Sequence, residues 1–405
     1  MQQGLPTHTS GQGALGGFLW LYAALYGAYG TQSAYLPAFL QSHGLAVQSV
    51  GLVLAAGTLV RVASGPAIGR LADGLRQRKP ALALAALLSG GIGWAYLVAF
   101  GVWPLLGVTL GAAATTAPLA PLSDALSVAA AAEGRNFQYG WVRGAGSAAF
   151  VFGTLLSGQL IDRAGLASII VASSMLFLVT ALCAARVGVR EDAKAAAPVA
   201  GAFATLWAIP AYRRLILVVV LVLGSHAMND TFAVIVWRAA GYGGGAVSVL
   251  WSVSVVAEVL VFFLAGPWLL ARFGPAGCAA VSACAGVLRW GVMGATTSMP
   301  ALAAVQALHG LTFALLHMVA MRVIAASVPE RFAATAQTVY GALALGLASA
   351  TLTFASGYLY AWLGMRAFWI MSGLCAAALP FVGSLRAAKP DEKTAPNAAK
   401  RRRPF

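Results

Sequence analysis

Charged side chains are scarce in this sequence. Asp, Glu, Lys and Arg together make up 9% of its 405 residues, whereas an ordinary soluble domain has roughly 25%. Hydrophobic residues make up 60%. A soluble fold has no interior large enough to hide that much apolar surface, so the composition excludes a soluble domain and predicts a chain embedded in a membrane.

Cysteine is also rare. The four cysteines, Cys183, Cys278, Cys284 and Cys375, fall in apolar stretches and lack the paired spacing of metal ligands. We expect them to pack as small apolar residues, and we predict neither a disulfide framework nor a metal site.

Sequence motifs of common enzymes are missing as well. The chain contains no H-E-x-x-H and no G-x-S-x-G, and its G-x-G-x-x-G at residues 11–16 neither follows a strand nor opens a βαβ unit. We predict a protein that is not an enzyme and needs no cofactor.

Long apolar runs fill most of the chain. Runs of about 20 residues, the length that crosses the hydrocarbon layer of a bilayer, recur between Gly16 and Arg386 with short polar breaks. They are continuous, whereas the strands of a membrane barrel alternate between apolar and polar residues, so we predict an all-α membrane protein. The expected transmembrane helices number about twelve, at 16–40, 45–69, 81–101, 104–131, 138–161, 166–187, 213–237, 245–270, 275–297, 300–327, 333–361 and 365–386.

Lys and Arg are unequally distributed between the two ends of these helices. Most lie in the loops and chain ends of one side, whereas Arg163, Arg238 and Arg366 lie in the loops of the other. Basic residues stay in the cytoplasm during membrane insertion, so we expect both termini to be cytoplasmic. The net charge of +15 then reflects topology and attraction to anionic lipid, and we predict no nucleic-acid partner.

The two halves of the sequence echo each other. Gly44 precedes Arg61 by 17 residues, and Gly241 precedes Glu258 by the same distance. The tetrapeptide SGQL in the first half likewise corresponds to SGYL in the second. This pattern favours a duplicated unit in which Arg61 and Glu258 occupy equivalent positions.

A duplicated six-helix unit gives two pseudo-symmetric six-helix bundles. We predict an N-terminal bundle at residues 1–187, a cytoplasmic linker at 188–212, a C-terminal bundle at 213–386 and a basic cytoplasmic tail at 387–405. Six helices return the chain to its starting side, so the two halves insert in parallel. In transporters that arrangement places the substrate between the halves, near the middle of the membrane.

A small set of ionisable residues interrupts the apolar runs. They are Arg61, Asp124, Arg143, His226, Asp230, Glu258, Arg289, His309, His317 and Arg322. An unpaired charge at the centre of a membrane helix costs about 2.5 to 3.5 kcal/mol, so these side chains must face a bundle interior or a hydrated cavity. They either pair to hold helices together or serve a transported substrate.

Residues equidistant from a tight turn between antiparallel helices lie at equal depth. The pairs that this rule places together are Asp124 with Arg143, His226 with Glu258, and Arg289 with His309. We therefore predict that three helix pairs bring polar side chains together well inside the membrane.

Histidine and carboxylate side chains are the candidates for carrying a proton. His226 and Asp230 are four residues apart on one helix face, and His309 and His317, eight apart, lie near one face. With Glu258 they form the predicted proton-coupling set. For each histidine, the alternative is a packing residue that only makes hydrogen bonds.

Aromatic side chains accompany the charges. Tyr22, Tyr26 and Tyr29 recur on one face of the first helix, and Trp251 lies one heptad before Glu258. Such spacing is typical of helix packing, but beside buried arginines it also suits a substrate with an apolar body and an anionic head. The predicted substrate-binding residues are Tyr29, Arg61, Asp124, Arg143, Trp251, Glu258 and Arg289.

The sequence GRLADGLRQRK, between the second and third predicted helices, resembles the signature loop of the major facilitator superfamily. In that superfamily an Asp caps a helix end and basic residues follow, so the resemblance implies a conformational switch at Gly69, Asp73 and Arg78. Gly74 and Arg76 stand where the superfamily usually has a basic residue and a glycine, which implies a weaker lock. The implied fold is the major facilitator fold.

Within the superfamily, the chain is similar to the phenylpropionate permeases. The similar segments are PLSDAL, AAGY, LWSVSVVAEV, RWGVMGATT and HMVAMRVIAA. This resemblance covers most of the chain and implies proton-coupled uptake of an aromatic carboxylate across a bacterial inner membrane.

More distantly, the charged set is similar to that of the lactose permeases. That resemblance implies a sugar-side ion pair for Asp124 and Arg143, a binding acid for Glu258, and coupling residues for Arg289 and His317. The carboxylate that handles the proton in those permeases is replaced by Ala320 here. Proton coupling must therefore fall to Asp230, Glu258 or a histidine.

These observations together predict a monomeric secondary transporter in the lipid bilayer. We expect it to take up a small aromatic carboxylate with protons by alternating access. Efflux of drugs or metabolites, and proton-coupled import of a sugar or nucleoside, are the alternatives within transport. A membrane sensor that moves no solute is the alternative outside it.

Overall fold

The computed structural model describes residues 11–132, 138–187 and 202–385. Residues 188–201 of the predicted linker and the predicted basic tail lie outside this part of the chain. The described residues form helices and short turns, and none of them is in a strand. This confirms the all-α class.

Eight helical stretches among the described residues are long and apolar enough to cross a membrane. Two of them, Gly244–Ala295 and Glu330–Leu385, contain two spans each, because the chain turns at Gly274 and at Gly364 with positive φ. With the first helix and the helix after the signature loop, this part of the chain provides the twelve expected spans.

We name the twelve spans of the described residues α1 to α12. Their bounds are α1 Gly11–Ser33 with Leu36–Ser42, α2 Val47–Gly74, α3 Arg78–Ala95, α4 Val102–Thr116 with Leu119–Ala132, α5 Tyr139–Ala164, α6 Ala167–Arg186, α7 Pro210–Gly224 with His226–Ala239, α8 Gly244–Leu260 with Val261–Ala265 and 266–273, α9 275–295, α10 Met299–Gln306 with Gly310–Leu315 and Leu316–Ser327, α11 Ala333–Tyr340 with Gly341–Leu347 and Ala348–Leu363, and α12 Phe368–Val382. A short helix, Ala202–Ala208, precedes α7.

Several spans are interrupted where continuous helices were expected. The second part of α1 begins beside Pro37, and α4 breaks at Pro118, because proline has no N–H to donate to the helical ladder. α7 is interrupted at Ser225. α8, α10 and α11 each contain a π-helical segment, which frequently occurs at functional sites.

Turn glycines that correspond in the internal repeat have matching backbone conformations. Gly44 and Gly241 have φ angles of 91° and 92°, and Gly165 and Gly364 have φ angles of 76° and 57°. Such angles favour glycine, because a side chain would clash with the backbone. The echo in the sequence therefore reflects equivalent turns.

The basic residues near the ends of the spans lie mostly on one side of the molecule, the side of the α2–α3 turn, which we call the basic side. Among the described residues they are Arg70, Arg76, Arg78, Lys79, Arg186, Arg213, Arg214, Arg272 and Arg331. The side of the α1–α2 and α7–α8 turns is called the opposite side.

Buried apolar side chains form two clusters. The larger one combines the C-terminal half with residues of the N-terminal half near the opposite side, such as Phe39, Val50 and Ile161. The smaller one contains only N-terminal residues, among them Leu82 and Leu126 near the basic side. The two halves therefore share a core toward the opposite side and have separate cores toward the basic side.

α5 and α8 join the two halves at the opposite side. The Asp162 carboxylate accepts the backbone N–H groups of Gly244 at 2.6 Å and Gly245 at 2.8 Å, and the Tyr35 hydroxyl donates to the Gly244 carbonyl at 2.7 Å. We call these three bonds the Asp162 clasp. A Cβ on Gly158 would lie 2.5 Å from the Gly244 carbonyl oxygen, so the close approach requires glycine.

α2 and α11 form a second contact of the same kind. A Cβ on Gly51 would lie 2.9 Å from the Thr353 carbonyl oxygen, and one on Gly357 would lie 3.1 Å from the Gln48 Cα atom. Gly158 and Gly357 occupy equivalent positions in the SGQL and SGYL repeat. Two related glycine contacts thus close the opposite side of the space between the halves.

Candidate functional site

A cavity with two compartments lies between the two halves. The larger compartment has a volume of about 550 Å³ and the smaller one about 260 Å³. Both are bordered by five shared residues of α1, α2, α7 and α11, namely Tyr29, Ser33, Arg61, Asp230 and Ser349. Together they are large enough for a small organic molecule.

The larger compartment combines aromatic surface with titratable groups. Its aromatic lining includes Tyr26, Tyr29, Phe150, Trp251 and Phe313, and its titratable lining includes His226, Glu258 and His309. Arg61 and Glu258, which the repeat predicts to be equivalent, both border this compartment, one from each half.

Arg61 is the arginine that borders the cavity. Its side chain is exposed, and among the described residues it makes no hydrogen bond or ion pair. A guanidinium group is permanently charged and has five N–H donors. Arg61 therefore offers unused donors and a positive charge to a ligand.

Arg289, another predicted binding residue, is fully buried in α9 and already has partners. Its Nη2 donates to Gln306 Oε1 at 2.7 Å, its Nη1 donates to His309 Nδ1 at 2.9 Å, and its guanidinium lies 4.4 Å from the Trp290 ring centroid. Arg289 therefore holds together the helices α9 and α10 of the C-terminal half. It lies beside His309, as the hairpin rule predicts.

The bond from Arg289 fixes the tautomer of His309. Arginine only donates, so His309 Nδ1 must present its lone pair, and a neutral ring carries its hydrogen on Nε2. His309 Nε2 lies 3.5 Å from Glu258 Oε2. The histidine thus directs an N–H at the Glu258 carboxylate and has no free lone pair for a proton from it.

His226 has the opposite tautomer. Its Nδ1 lies 3.1 Å from the backbone oxygens of Val222 and Leu223, which only accept, so the hydrogen is on Nδ1. Its Nε2 lies 2.9 Å from Thr312 Oγ1, whose hydroxyl can donate. Both ring nitrogens are therefore occupied, and His226 makes the hydrogen bonds of a packing residue.

Asp230 borders both compartments, and its neighbour Asn229 is buried beside it. Asn229 Nδ2 donates to Asp230 Oδ1 at 3.1 Å, whereas Asn229 Oδ1 has no hydrogen-bond partner among the described residues. Among the described residues, the Asp230 carboxylate therefore has a donor only from its own neighbour, and the Asn229 oxygen has none.

Asp124 and Arg143, predicted to be able to pair, make no ion pair with each other. Asp124 Oδ1 accepts the hydroxyls of Tyr22 at 2.5 Å and Tyr139 at 2.9 Å. The Arg143 guanidinium lies 4.7 Å from the Tyr26 ring centroid. Tyrosines of α1 and α5 thus take the places that the hairpin rule assigned to the two charges.

His317 lies apart from the other histidines. Its Nδ1 is 3.0 Å from the Tyr340 hydroxyl of α11, and it borders neither compartment of the cavity. His317 and His309 were predicted to lie near one face of α10, but only His309 borders the cavity.

In the signature loop, Asp73 pairs with one of the basic residues that follow it. Arg78 Nε donates to the Asp73 carboxylate across the α2–α3 turn. Arg76, where the superfamily usually has glycine, adopts a φ of 55°, an angle that favours glycine. Gly69 has free space around its Cα atom.

Sequence reasoning missed several uncharged partners of the charged residues. Gln306 and Thr312 hold Arg289 and the histidines, and Asn229 completes the α7 acceptors. A search restricted to ionisable residues passes over amides and hydroxyls. The available signal in the sequence was a glutamine within the apolar run of α10, three residues before His309.

Comparison with known proteins identifies the family of this chain. The sequence profile of the MFS_1 like family matches residues 14–371. A protein named probable 3-phenylpropionic acid transporter of Escherichia coli (strain K12) is 36% identical over 367 residues, which cover 87% of this chain and 92% of that protein. Maltose permease of Geobacillus stearothermophilus is 25% identical over 357 residues, which cover 87% of this chain and 90% of that protein.

The fold is also similar to that of solved structures. The crystal structure of the nucleoside transporter NupG superposes with a TM-score of 0.79 at 16% identity, covering 92% of this chain and 98% of that chain. Three observations point to the same kind of protein: the helical spans, the cavity between two halves and the family match over most of the sequence. The chain is therefore a multi-pass membrane transporter of the major facilitator type and belongs to the MFS_1 like family.

Proposed function

We propose that this protein takes up a small aromatic carboxylate together with a proton by alternating access. The observation that carries the proposal is Arg61, which borders a partly aromatic cavity between the halves and has no hydrogen-bond or ion-pair partner in the part of the chain that the structure describes. The name of the Escherichia coli relative, a probable 3-phenylpropionic acid transporter, supports the same substrate class.

Arg61 is the proposed anchor for the substrate carboxylate. A guanidinium binds a carboxylate through two parallel hydrogen bonds, and both are stronger where water is partly excluded. The aromatic side chains Tyr26, Tyr29 and Trp251 border the same space and would contact the ring. Arg289 and Asp124 already have internal partners, so we assign them the role of holding the helices around this site.

The charges around the cavity favour uptake of one proton with each anion. Three arginines and three carboxylates lie inside the spans that surround the cavity: Arg61, Arg143 and Arg289 with Asp124, Asp230 and Glu258. Of these, Arg61, Asp230 and Glu258 border the cavity itself. Arg322 is exposed near the basic-side end of α10 and does not border the cavity. An added carboxylate would leave a net negative charge in a medium that penalises it, and a bound proton removes that charge.

Glu258 and Asp230 are the proposed proton carriers. Both border the larger compartment, whereas the hydrogen bonds of His226 and His309 leave neither ring a free lone pair toward them. His309 would stabilise ionised Glu258 with its N–H. We therefore assign His226 and His309 a supporting role in place of the predicted proton-carrying one. His317 contacts Tyr340 and has no proposed part in coupling.

In the proposed movement, the two bundles, residues 1–187 and 213–386, rock about the cavity. Residues 188–212 link the bundles, and residues 387–405 form the tail. The positive-inside rule makes the basic side cytoplasmic, in the inner membrane of a bacterium. The glycine contacts and the Asp162 clasp lie at the other side, so the conformation described corresponds to one closed toward the outside. The loop with Gly69, Asp73 and Arg78 would act as a switch in that movement, and a single chain suffices.

Proton-coupled import of a sugar or nucleoside is the second candidate, favoured by the hydroxyl and amide groups of the smaller compartment. Efflux uses the same architecture in the other direction. A neutral sugar would leave the Arg61 charge without a counterion, and this favours the carboxylate.

Uptake in proteoliposomes tests the proposal. Labelled 3-phenylpropionate should accumulate when the outside is more acidic than the inside, and Arg61→Gln should reduce accumulation to that of empty vesicles. Arg322→Gln removes an arginine away from the cavity and should transport normally. Full accumulation by Arg61→Gln would refute the anchor, and no uptake by the unmodified protein would refute the substrate class.

A further inference from the structure

The smaller compartment is poorly matched to an unsubstituted aromatic ring. Side chains around it with no hydrogen-bond partner among the described residues include Gln32, Ser33, Thr231, Ser349 and Thr353. A bare ring that filled this space would remove such groups from water and give them nothing in return, which costs free energy for each group. The compartment therefore fits a substrate body that itself makes hydrogen bonds.

The boundary between the compartments carries complementary groups from the two halves. Arg61 on α2 offers donors without an acceptor, while Asp230 on α7 offers a carboxylate whose donor among the described residues is its own neighbour Asn229. No ion pair joins Arg61 to Asp230 in the described part of the chain. A ligand with an anion at one position and a donor at another would satisfy both sides.

We infer that the substrate is a hydroxylated aromatic carboxylate. Its carboxylate binds Arg61 and its hydroxyl donates to the Asp230 carboxylate. This inference rests on the proposed function and narrows its substrate class. A protonated Asp230 keeps an oxygen that accepts a hydrogen bond, so its role toward the hydroxyl is compatible with proton coupling.

The same geometry explains why the hydroxyl would matter for transport. Arg61 belongs to the N-terminal half and Asp230 to the C-terminal half, so such a ligand joins the two halves across the cavity. Binding energy from both ends then favours closure of the halves around the substrate. An acid without the hydroxyl engages only the N-terminal half by its charge and leaves the α7 acceptors unpaired.

A competition experiment with matched acids tests this inference. Proteoliposomes with the full chain, preloaded with unlabelled 3-(3-hydroxyphenyl)propionate at equal pH on both sides, exchange it for the labelled acid, and this exchange needs no pH gradient. Unlabelled competitors differ only on the ring: hydrogen, 3-hydroxyl, 4-hydroxyl or 3-methoxyl. At a pH where Asp230 is ionised, a hydrogen bond to its charged carboxylate predicts that one hydroxylated acid competes at least about tenfold better than the unsubstituted acid. The methoxyl compound has a similar size but no donor, so it should lose that advantage.

Variants assign the effect to α7. Asp230→Ala removes the acceptor and should bring the ratio of the two inhibition constants close to one, whereas Asp230→Asn keeps a neutral acceptor and should give an intermediate ratio. Arg322→Gln is the matched control and should keep the full ratio. Because the ratio compares two ligands on one preparation, it does not depend on how much of a variant folds.

The outcomes separate this inference from the proposed function. Equal competition by the unsubstituted, methoxyl and hydroxylated acids would overturn the inference and leave aromatic acid transport in place. Stronger competition by an aromatic amino acid would also overturn it, because the α7 acceptors would then select an ammonium group. If none of the acids were transported or competed, the proposed function itself would fail.

Discussion

At the residue scale, two arginines inside the membrane spans have different roles. Arg289 has Gln306, His309 and the Trp290 ring as partners, whereas Arg61 has none among the described residues. A charge with internal partners holds helices together, and a charge without them remains available to a ligand. Hydrogen-bond partners, rather than residue type, separate the two.

The carboxylates carry the first prediction. Glu258→Gln and Asp230→Asn should each abolish accumulation of the acid driven by a pH gradient, so that the inside-to-outside ratio of labelled substrate stays near one. Each change removes a group that can gain and lose a proton while keeping its size. Arg322→Gln should accumulate like the unmodified protein, and normal accumulation by both carboxylate variants would exclude them from coupling.

Gln306 carries the second prediction. Gln306→Leu removes the hydrogen bond to the buried Arg289 guanidinium and should lower the free energy of unfolding by about 1.5 to 3 kcal/mol. Gln32→Leu is the matched control, because the Gln32 side chain has no partner among the described residues and its loss should lower stability far less. Thermal unfolding of both proteins in one detergent measures the difference, and equal midpoints would contradict the role of Gln306.

At the element scale, the contacts between α5 and α8 differ from those between α2 and α11. Both depend on a glycine of the duplicated motif, Gly158 and Gly357. Only the α5–α8 contact has a carboxylate on backbone N–H groups at the start of the partner helix, where Asp162 also meets the positive end of the helix dipole. Opening toward the opposite side requires that these bonds break.

The third prediction concerns the Asp162 clasp. Asp162→Asn replaces one acceptor oxygen with a donor and should increase the population open toward the opposite side about tenfold. Tyr35→Phe, which removes one neutral bond, should have a smaller effect in the same direction. Distances between spin labels on the C-terminal end of α5 and the N-terminal end of α8, both at the opposite side, measure the populations.

A matched control for the clasp comes from another tyrosine. The Tyr212 hydroxyl donates to the Ala336 carbonyl at 2.8 Å, but both residues belong to the C-terminal half. Tyr212→Phe should therefore leave the distance distribution between the halves unchanged. Unaltered distributions in the Asp162 and Tyr35 variants would mean that the glycine contacts alone hold the opposite side closed.

For the whole molecule, charge balance decides what drives transport. If one proton enters with each monovalent anion, no net charge crosses the membrane. The fourth prediction is that a pH gradient drives uptake, whereas a potassium-diffusion potential at equal pH on both sides does not. Accumulation driven by that potential, or a substrate-induced current on a supported membrane, would contradict the proposed ratio of one proton per anion.

The sequence by itself determined the architecture. Continuous apolar runs allow only membrane helices, because a spanning segment must satisfy its own backbone hydrogen bonds. The repeat around Gly44 and Gly241 indicated two related halves, and the scarcity of charge made the few internal ionisable residues stand out. Antiparallel hairpins also placed Arg289 beside His309, since depth along two straight helices follows from counting residues.

The tertiary structure alone decided how those residues are partnered. Counting along a helix gives depth but not rotation, so it could not tell that tyrosines take the places at Asp124 and Arg143 or that His317 contacts Tyr340. Breaks at Pro118 and Ser225 and the π-helical segments change the direction in which later side chains point. Which arginine remains free for a substrate depends on contacts between helices distant in sequence, and those exist only in the packed structure.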